Sequence, residues 1–159
     1  MKIEPLKNYP KLYKQINEIC FKEFHYFFPN LSISDFEKSL KAKLNTDKLP
    51  IFYIAFEKNK LIGFFVLRKH DEKIAKDFSP PLKQNYSPWF GTLVILSKYR
   101  GLGYGKQLVQ IAKEKIQKFG YKELYIFTDK ENFYQKLDFK IIQKTYLNNN
   151  PVSIMHWIL

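Results

Sequence analysis

The residues of this sequence with the clearest chemical purpose are Leu93-Val94-Ile95-Leu96-Ser97-Lys98-Tyr99-Arg100-Gly101-Leu102-Gly103-Tyr104-Gly105-Lys106. An apolar run enters a turn, three alternating glycines follow, and an amphipathic pattern begins at once, with Leu108, Ile111, Ala112 and Phe119 on one side. Bare backbone can curl and approach a ligand closely, so successive N–H groups converge on phosphate oxygens at the positive end of the helix. That chemistry is pyrophosphate binding without a metal. A P-loop would need Lys followed by Ser or Thr to hold a metal, and Gly105-Lys106-Gln107 offers no such hydroxyl. A dinucleotide fold would need G-x-G-x-x-G. Asp129 imitates its ribose-binding acid, but too little chain follows to complete the sheet. The remaining alternative is a glycine turn with no ligand, which costs helix stability to no purpose.

The elements around this turn follow from periodicity. A helix is expected from about Pro10 to Phe28, with Leu12, Ile16, Ile19, Cys20 and Phe27 inward, and a second from Ser32 to Asp35 onward, carrying Phe36, Leu40 and Leu44 inward. Ile51 to Phe56 and Leu61 to Leu67 form an expected hairpin about Glu57-Lys58-Asn59-Lys60. His70 to Pro88, with three prolines, reads as a loop or short irregular helix over the sheet. Then come a strand at Trp89 to Leu96, a helix at Gly103 to Phe119, a strand at Leu124 to Phe127 and a short helix at Asn132 to Leu137. Strands Phe139 to Leu147 and Val152 to Ile158 flank the turn Asn148-Asn149-Asn150-Pro151. The order β-α-α-β-β-β-α-β-α-β-β predicts one α/β domain over residues 1–159: a mixed sheet of six to seven strands with about four helices on its two faces.

Composition sets the outer limits. The 45% apolar and 18% aromatic content is enough to fill one core. No run is long enough for a membrane span, and the start Met1-Lys2-Ile3-Glu4-Pro5 lacks a signal-like apolar stretch, so a cytoplasmic protein is expected. Cys20 is the only cysteine, which excludes an internal disulfide and a cysteine-built metal site and leaves a buried, inert thiol. The 27 basic against 15 acidic residues, net +12, favour anionic ligands of any kind. Lys11, Lys14, Lys41, Lys43, Lys113, Lys115 and Lys118 stand mostly at helical spacings that suit a solvated face. With no arginine cluster and no reader motif, nucleic acid is not the expected partner.

The chain resembles the GNAT acetyltransferase superfamily, whose signature is Q/R-x-x-G-x-G/A after a strand. Arg100-Gly101-Leu102-Gly103-Tyr104-Gly105 matches it. Ser87-Pro88-Trp89 ahead of the central strand is similar as well, as are Leu124-Tyr125-Ile126-Phe127-Thr128 and Asn132-Phe133-Tyr134-Gln135-Lys136-Leu137-Asp138-Phe139. The resemblance implies the GNAT fold, acetyl-coenzyme A as cosubstrate, no metal, and transfer of its acetyl group to an amine by direct attack in a ternary complex. It assigns the pyrophosphate to backbone amides of Gly101, Gly103, Gly105 and Lys106, with Arg100 and Leu102 shaping the turn and Tyr104 within it. Leu93, Val94 and Ile95 would run beside the pantetheine arm at a bulge, with the Leu93 N–H facing the acetyl oxygen. Tyr134 would protonate the departing thiolate, since a phenol of pKa ~10 still carries its proton at neutral pH. Its alternative role is to anchor a short helix to the core. Asp138 stands where the family has glycine, and aspartate tolerates left-handed backbone better than most residues.

A protonated amine must lose a proton before it attacks, and the position where some relatives carry a glutamate is here Trp89. At 100° per residue Glu23 falls within about 20° of Ile16 on the apolar face of the first helix, and His25 points away. Glu23 is thus a candidate for binding the amine or relaying its proton, and Phe28, Tyr86 and Trp89 for lining the acceptor groove. Equally, Lys115 lies mid-face in its own helix, where a long stem need only snorkel. Two functions remain: an N-acetyltransferase acting on a primary amine of a small molecule or protein, as monomer or homodimer, and a coenzyme A-binding sensor or interaction protein without turnover.

Overall fold

The computed structural model describes residues 1–70 and 75–159. The strands are β1 (Lys2–Pro5), β2 (Ile51–Glu57), β3 (Lys60–Arg68), β4 (Phe78–Ser79), β5 (Trp89–Ile95), β6 (Glu123–Thr128), β7 (Lys140–Leu147) and β8 (Asn150–Ile158). The α-helices among the described residues are α1 (Tyr13–Phe24), α2 (Ile33–Lys41), α3 (Tyr104–Lys118) and α4 (Glu131–Gln135). One mixed sheet runs β1-β2-β3-β5-β6-β8-β7-β4. Every pair is antiparallel except β5 with β6.

The sheet has eight strands, against the six to seven that the sequence predicts. The addition is β4, inside the expected loop from His70 to Pro88. It pairs with the edge of β7, and the chain beyond it is held along β7 by Thr145 Oγ1 donating to Pro80 O and Gln143 Nε2 donating to Pro81 O, at 2.6 and 2.9 Å. Two residues are too short for an alternating pattern to be read. The rest of that expectation, at 71–74, lies outside the described residues.

Local chemistry accounts for the other boundaries. Ser32 caps α2 with a reciprocal box: Asp35 N donates to Ser32 Oγ at 3.1 Å and Ser32 N to Asp35 Oδ2 at 2.8 Å. Both hairpins turn on residues at positive φ, Lys58 and Asn59 in one and Asn148 and Asn149 in the other, as two-residue turns matching strand twist require. The first helical pattern is longer than α1 itself, because 3-10 turns at Pro10–Leu12 and His25–Phe27 occupy its two ends.

Strand alternation sorts the core onto two faces. Tyr53, Ala55, Phe65 and Leu67 lie under α3, against Leu108, Val109, Ala112 and Ile116. Phe52, Ile54, Phe64 and Val66 lie under α1 and α2, against Ile16, Cys20 and Leu40. Burial pushes the Cys20 thiol up to about 12, which leaves it unreactive at neutral pH. The solvated-face reading fails at Lys113. Its Nζ donates to Leu137 O at 2.6 Å and lies over the rings of Phe139 and Trp157, and desolvation lowers its pKa. Lys115 does snorkel, with its ammonium 4.4 Å from the Tyr53 ring centre.

Candidate active site

The site forms where two parallel strands separate. β5 and β6 share one register pair, Trp89 with Tyr125, where Tyr125 N donates to Pro88 O at 2.9 Å. Beyond it β5 stays with β3 and β6 with β8. Val66 opposes Gly91 and Phe64 opposes Val94, so Thr92 and Leu93 together face Phe65. This bulge bends β5 away from β6. Its strain is recorded at Thr92, a β-branched residue held at φ 54°. A wedge widens toward the C-terminal ends of both strands, with the backbone of Leu93, Val94 and Ile95 along one wall.

The glycine turn stands at the end of that wall. A 3-10 turn at Ser97–Tyr99 leads to Arg100, whose Nε donates to Ile95 O at 2.8 Å. Gly101 and Gly103 adopt φ of 79° and 84°, and a Cβ on either would meet nothing within 4 Å. Glycine is needed there for the backbone, and the space above it is open. Gly103 caps α3 without a side chain, and the first turn of α3 holds no acidic residue. The leading amides, those of Tyr104, Gly105 and Lys106, therefore have no side-chain acceptor among the described residues, the arrangement that favours an anion. Gly105 differs: its Cβ would stand 3.3 Å from the Phe133 ring, so this glycine lets α3 close on α4. An open, left-handed turn with unclaimed amides fits the pyrophosphate of coenzyme A.

Tyr134 projects from α4. Its ring is buried among Phe90, Phe133 and Phe139, at centroid distances of 6.5, 4.9 and 5.6 Å. The hydroxyl makes no hydrogen bond to a described residue. Burial, and next the charge of Asp129, raise the phenol pKa above its ordinary 10. Asp138 takes φ 63°, and Leu137 N and Phe139 N both donate to Tyr134 O, at 2.9 and 3.1 Å. The left-handed turn is thus kept with aspartate in place of glycine.

The end of α1 spans the wedge. Glu23 Oε1 is 2.8 Å from Arg100 Nη2, which ties α1 to the glycine turn on the β5 side. Tyr26 Oη donates to Asp129 Oδ2 at 3.2 Å, which ties the following 3-10 turn to the end of β6. Asn148 Nδ2 and Asn150 Nδ2 hold that turn through Phe27 O and Tyr26 O, at 2.9 and 3.0 Å. The sequence offered Asp129 only as an imitation of another fold's acid; its position directly after β6 was the available signal. The expected acceptor groove is closed at two of its three residues. Tyr86 and Trp89 are 7% and 5% exposed, pack on Tyr125, and are joined by Trp89 Nε1 donating to Tyr86 O at 2.6 Å. Trp89 fills core where a base was sought, and Phe28 keeps partial exposure.

The profile of the Acetyltransferase (GNAT) family matches residues 13–139, the stretch from α1 to the end of the Tyr134 turn. The chain belongs to the GNAT acetyltransferase family. An uncharacterized N-acetyltransferase of Chlorobaculum tepidum, CT2212, is 24% identical over 95 residues, 60% of this chain and 53% of its own. This GNAT chain thus spans about half the length of that relative. Among solved structures, an aminoglycoside 6'-N-acetyltransferase complexed with coenzyme A superposes with a TM-score of 0.72 at 17% identity, over 99% of this chain and 97% of that one. The aminoglycoside 6'-N-acetyltransferase from Enterococcus faecium gives 0.69 at 18% identity, over the same shares. These likenesses establish the GNAT fold. No helix among the described residues is long and apolar enough to cross a membrane.

Proposed function

We propose that this GNAT protein is an N-acetyltransferase that carries acetyl from acetyl-coenzyme A to a primary amine by direct attack. The observation that carries the reading is the wedge between β5 and β6, with the open glycine turn at one arm and, at the other, the Tyr134 phenol, which bonds to no described residue. The thioester, when bound, supplies an acyl carbon activated toward amines. The amides of Gly101, Gly103, Gly105 and Lys106 hold the pyrophosphate. Leu93, Val94 and Ile95 line the arm that reaches into the wedge, and the Leu93 N–H faces the acyl oxygen as charge develops on it. As the C–S bond breaks, the Tyr134 Oη gives its proton to the sulfur. The amine gives up a proton in the course of attack, so the net release is one proton per turnover from an ammonium acceptor.

Glu23 serves best as a positioning residue. Its pair with Arg100 is partly exposed and worth about 0–1 kcal/mol, too little to matter for stability and easily exchanged when phosphate arrives. The second reading, a coenzyme A sensor without turnover, draws on Trp89, which stands buried where a base was sought.

Replacing Tyr134 by Phe keeps the ring packing and deletes the donor. Coenzyme A affinity should persist while kcat falls by ~10²–10⁴-fold, the usual worth of a positioned proton donor. Unchanged kcat where chemistry limits turnover would leave Tyr134 as a core anchor.

A further inference from the structure

The helix that carries Tyr134 is five residues long, too short to hold its shape without outside partners. Its start is fixed to the sheet, where Ser153 Oγ of β8 donates to Glu131 Oε1. Its end is fixed to α3. Lys113 Nζ donates to Leu137 O at 2.6 Å, in the turn whose own amides, Leu137 N and Phe139 N, close on Tyr134 O. Lys113 is only 6% exposed, and its ammonium lies 5.3 Å from the ring centre of Phe139 and 4.9 Å from that of Trp157. Asp138, on the exposed side of the same turn, supplies a charge that offsets part of the burial cost. Replacing a buried ion by an apolar side chain of similar volume is often neutral or stabilising, so core filling does not account for a lysine at this place.

The helix that bears Lys113 begins at the glycine turn. Lys113 follows Tyr104 by nine residues, about 14 Å along the axis at the usual rise. One rigid element therefore holds the phosphate end of the cosubstrate and the turn beneath the phenol. We propose that Lys113 is a positioning residue: by clasping Leu137 O it holds the Tyr134 phenol at a set distance from the glycine turn, where the sulfur of a cosubstrate arm of fixed length arrives. The inference rests on the N-acetyltransferase reading, in which Tyr134 gives its proton to that sulfur, and deepens it by naming what aims the donor. A proton donor must stand within about 3 Å of the atom it serves, and a misplacement of about 1 Å can cost roughly a hundredfold in rate. Without the clasp the end of a five-residue helix has no charged tie to α3, and the phenol loses its aim while the glycine turn keeps its shape.

The test uses the full chain, thiol-release kinetics with acetyl-coenzyme A and n-butylamine, and amide exchange followed by NMR on the coenzyme A complex. Lys113→Met keeps the length and bulk of the stem and removes the ammonium. It should lower kcat by about ten- to a hundredfold and leave coenzyme A affinity within about twofold of wild type. Lys113→Arg, which keeps a cation and N–H donors, should hold kcat within about threefold. In the Tyr134→Phe background Lys113→Met should change kcat by less than about twofold, because no donor remains to be misplaced. Independently of turnover, the Leu137 and Phe139 amides should exchange at least about tenfold faster in Lys113→Met, with those of β2 and β3 unchanged. An unchanged kcat, an equal loss in both backgrounds, a Lys113→Arg no better than Lys113→Met, or unchanged exchange at Leu137 and Phe139 overturns the proposal. Faster exchange at those two amides in a protein whose wild type releases no thiol would instead refute turnover and leave the clasp standing.

Discussion

At the scale of single residues, Tyr134 is the group whose protonation the fold controls. Its pKa stands above 10 through burial first and Asp129 second, so the folded chain keeps a proton that the unfolded chain releases. Stability from this group is therefore full below the unfolded value and declines as pH rises past about 10. For the proposed proton transfer the same sign means that the Tyr134 phenol keeps its proton across the neutral range. The kcat profile should show no alkaline loss from Tyr134 below about pH 10. A fall in kcat centred nearer neutrality that disappears in Tyr134→Phe would contradict this. Tyr134 was legible in the sequence because its neighbours form a local motif. Asp129 was not, since its partner Tyr26 lies 103 positions away, and the Glu23–Arg100 pair spans 77. Residues joined across the wedge have no local spacing to read.

At the scale of elements, the glycines divide by what each makes room for. Gly103→Val would place a β-branched residue at φ 84° in the open space over the turn, so coenzyme A binding should be lost while the core, which it does not touch, persists. Gly105→Val meets the Phe133 ring and should lower stability as well, by the roughly 1–3 kcal/mol typical of overpacking, seen as a lower melting temperature. Calorimetric titration with coenzyme A and thermal unfolding of both variants separate the two roles. Retained coenzyme A binding by Gly103→Val removes the turn from the phosphate site. Elements with strong local signals were legible: the Ser32 capping box, the two hairpin turns and the glycine turn before α3. The acceptor wall was not, because Tyr86 and Trp89 present the same aromatic character whether they line a groove or, as here, fill a core with Tyr125.

At the scale of the whole molecule, the charge of +12 is spread over a sheet covered on both faces, and its effect on an anionic cosubstrate acts at long range. Raising ionic strength from about 0.01 to about 0.15 M shortens the screening length from about 30 to about 8 Å, so the acetyl-coenzyme A KM should rise with salt while kcat holds. The same excess of lysine reads wrongly at one position, Lys113, because helical spacing alone does not show that Trp157, from β8, and Phe139, from the turn before β7, cover it. The fold order, by contrast, was readable nearly throughout, since one βαβ crossover flanked by hairpins leaves few ways to order a sheet. The account as a whole stands on turnover at the wedge. Incubation of the full chain with acetyl-coenzyme A and a panel of alkyl and aryl amines, read as free thiol, measures it most directly. Amine-dependent thiol release that saturates with an amine of the panel and collapses in Tyr134→Phe is the predicted result; coenzyme A binding with no amine-dependent thiol release from any member of the panel would contradict it.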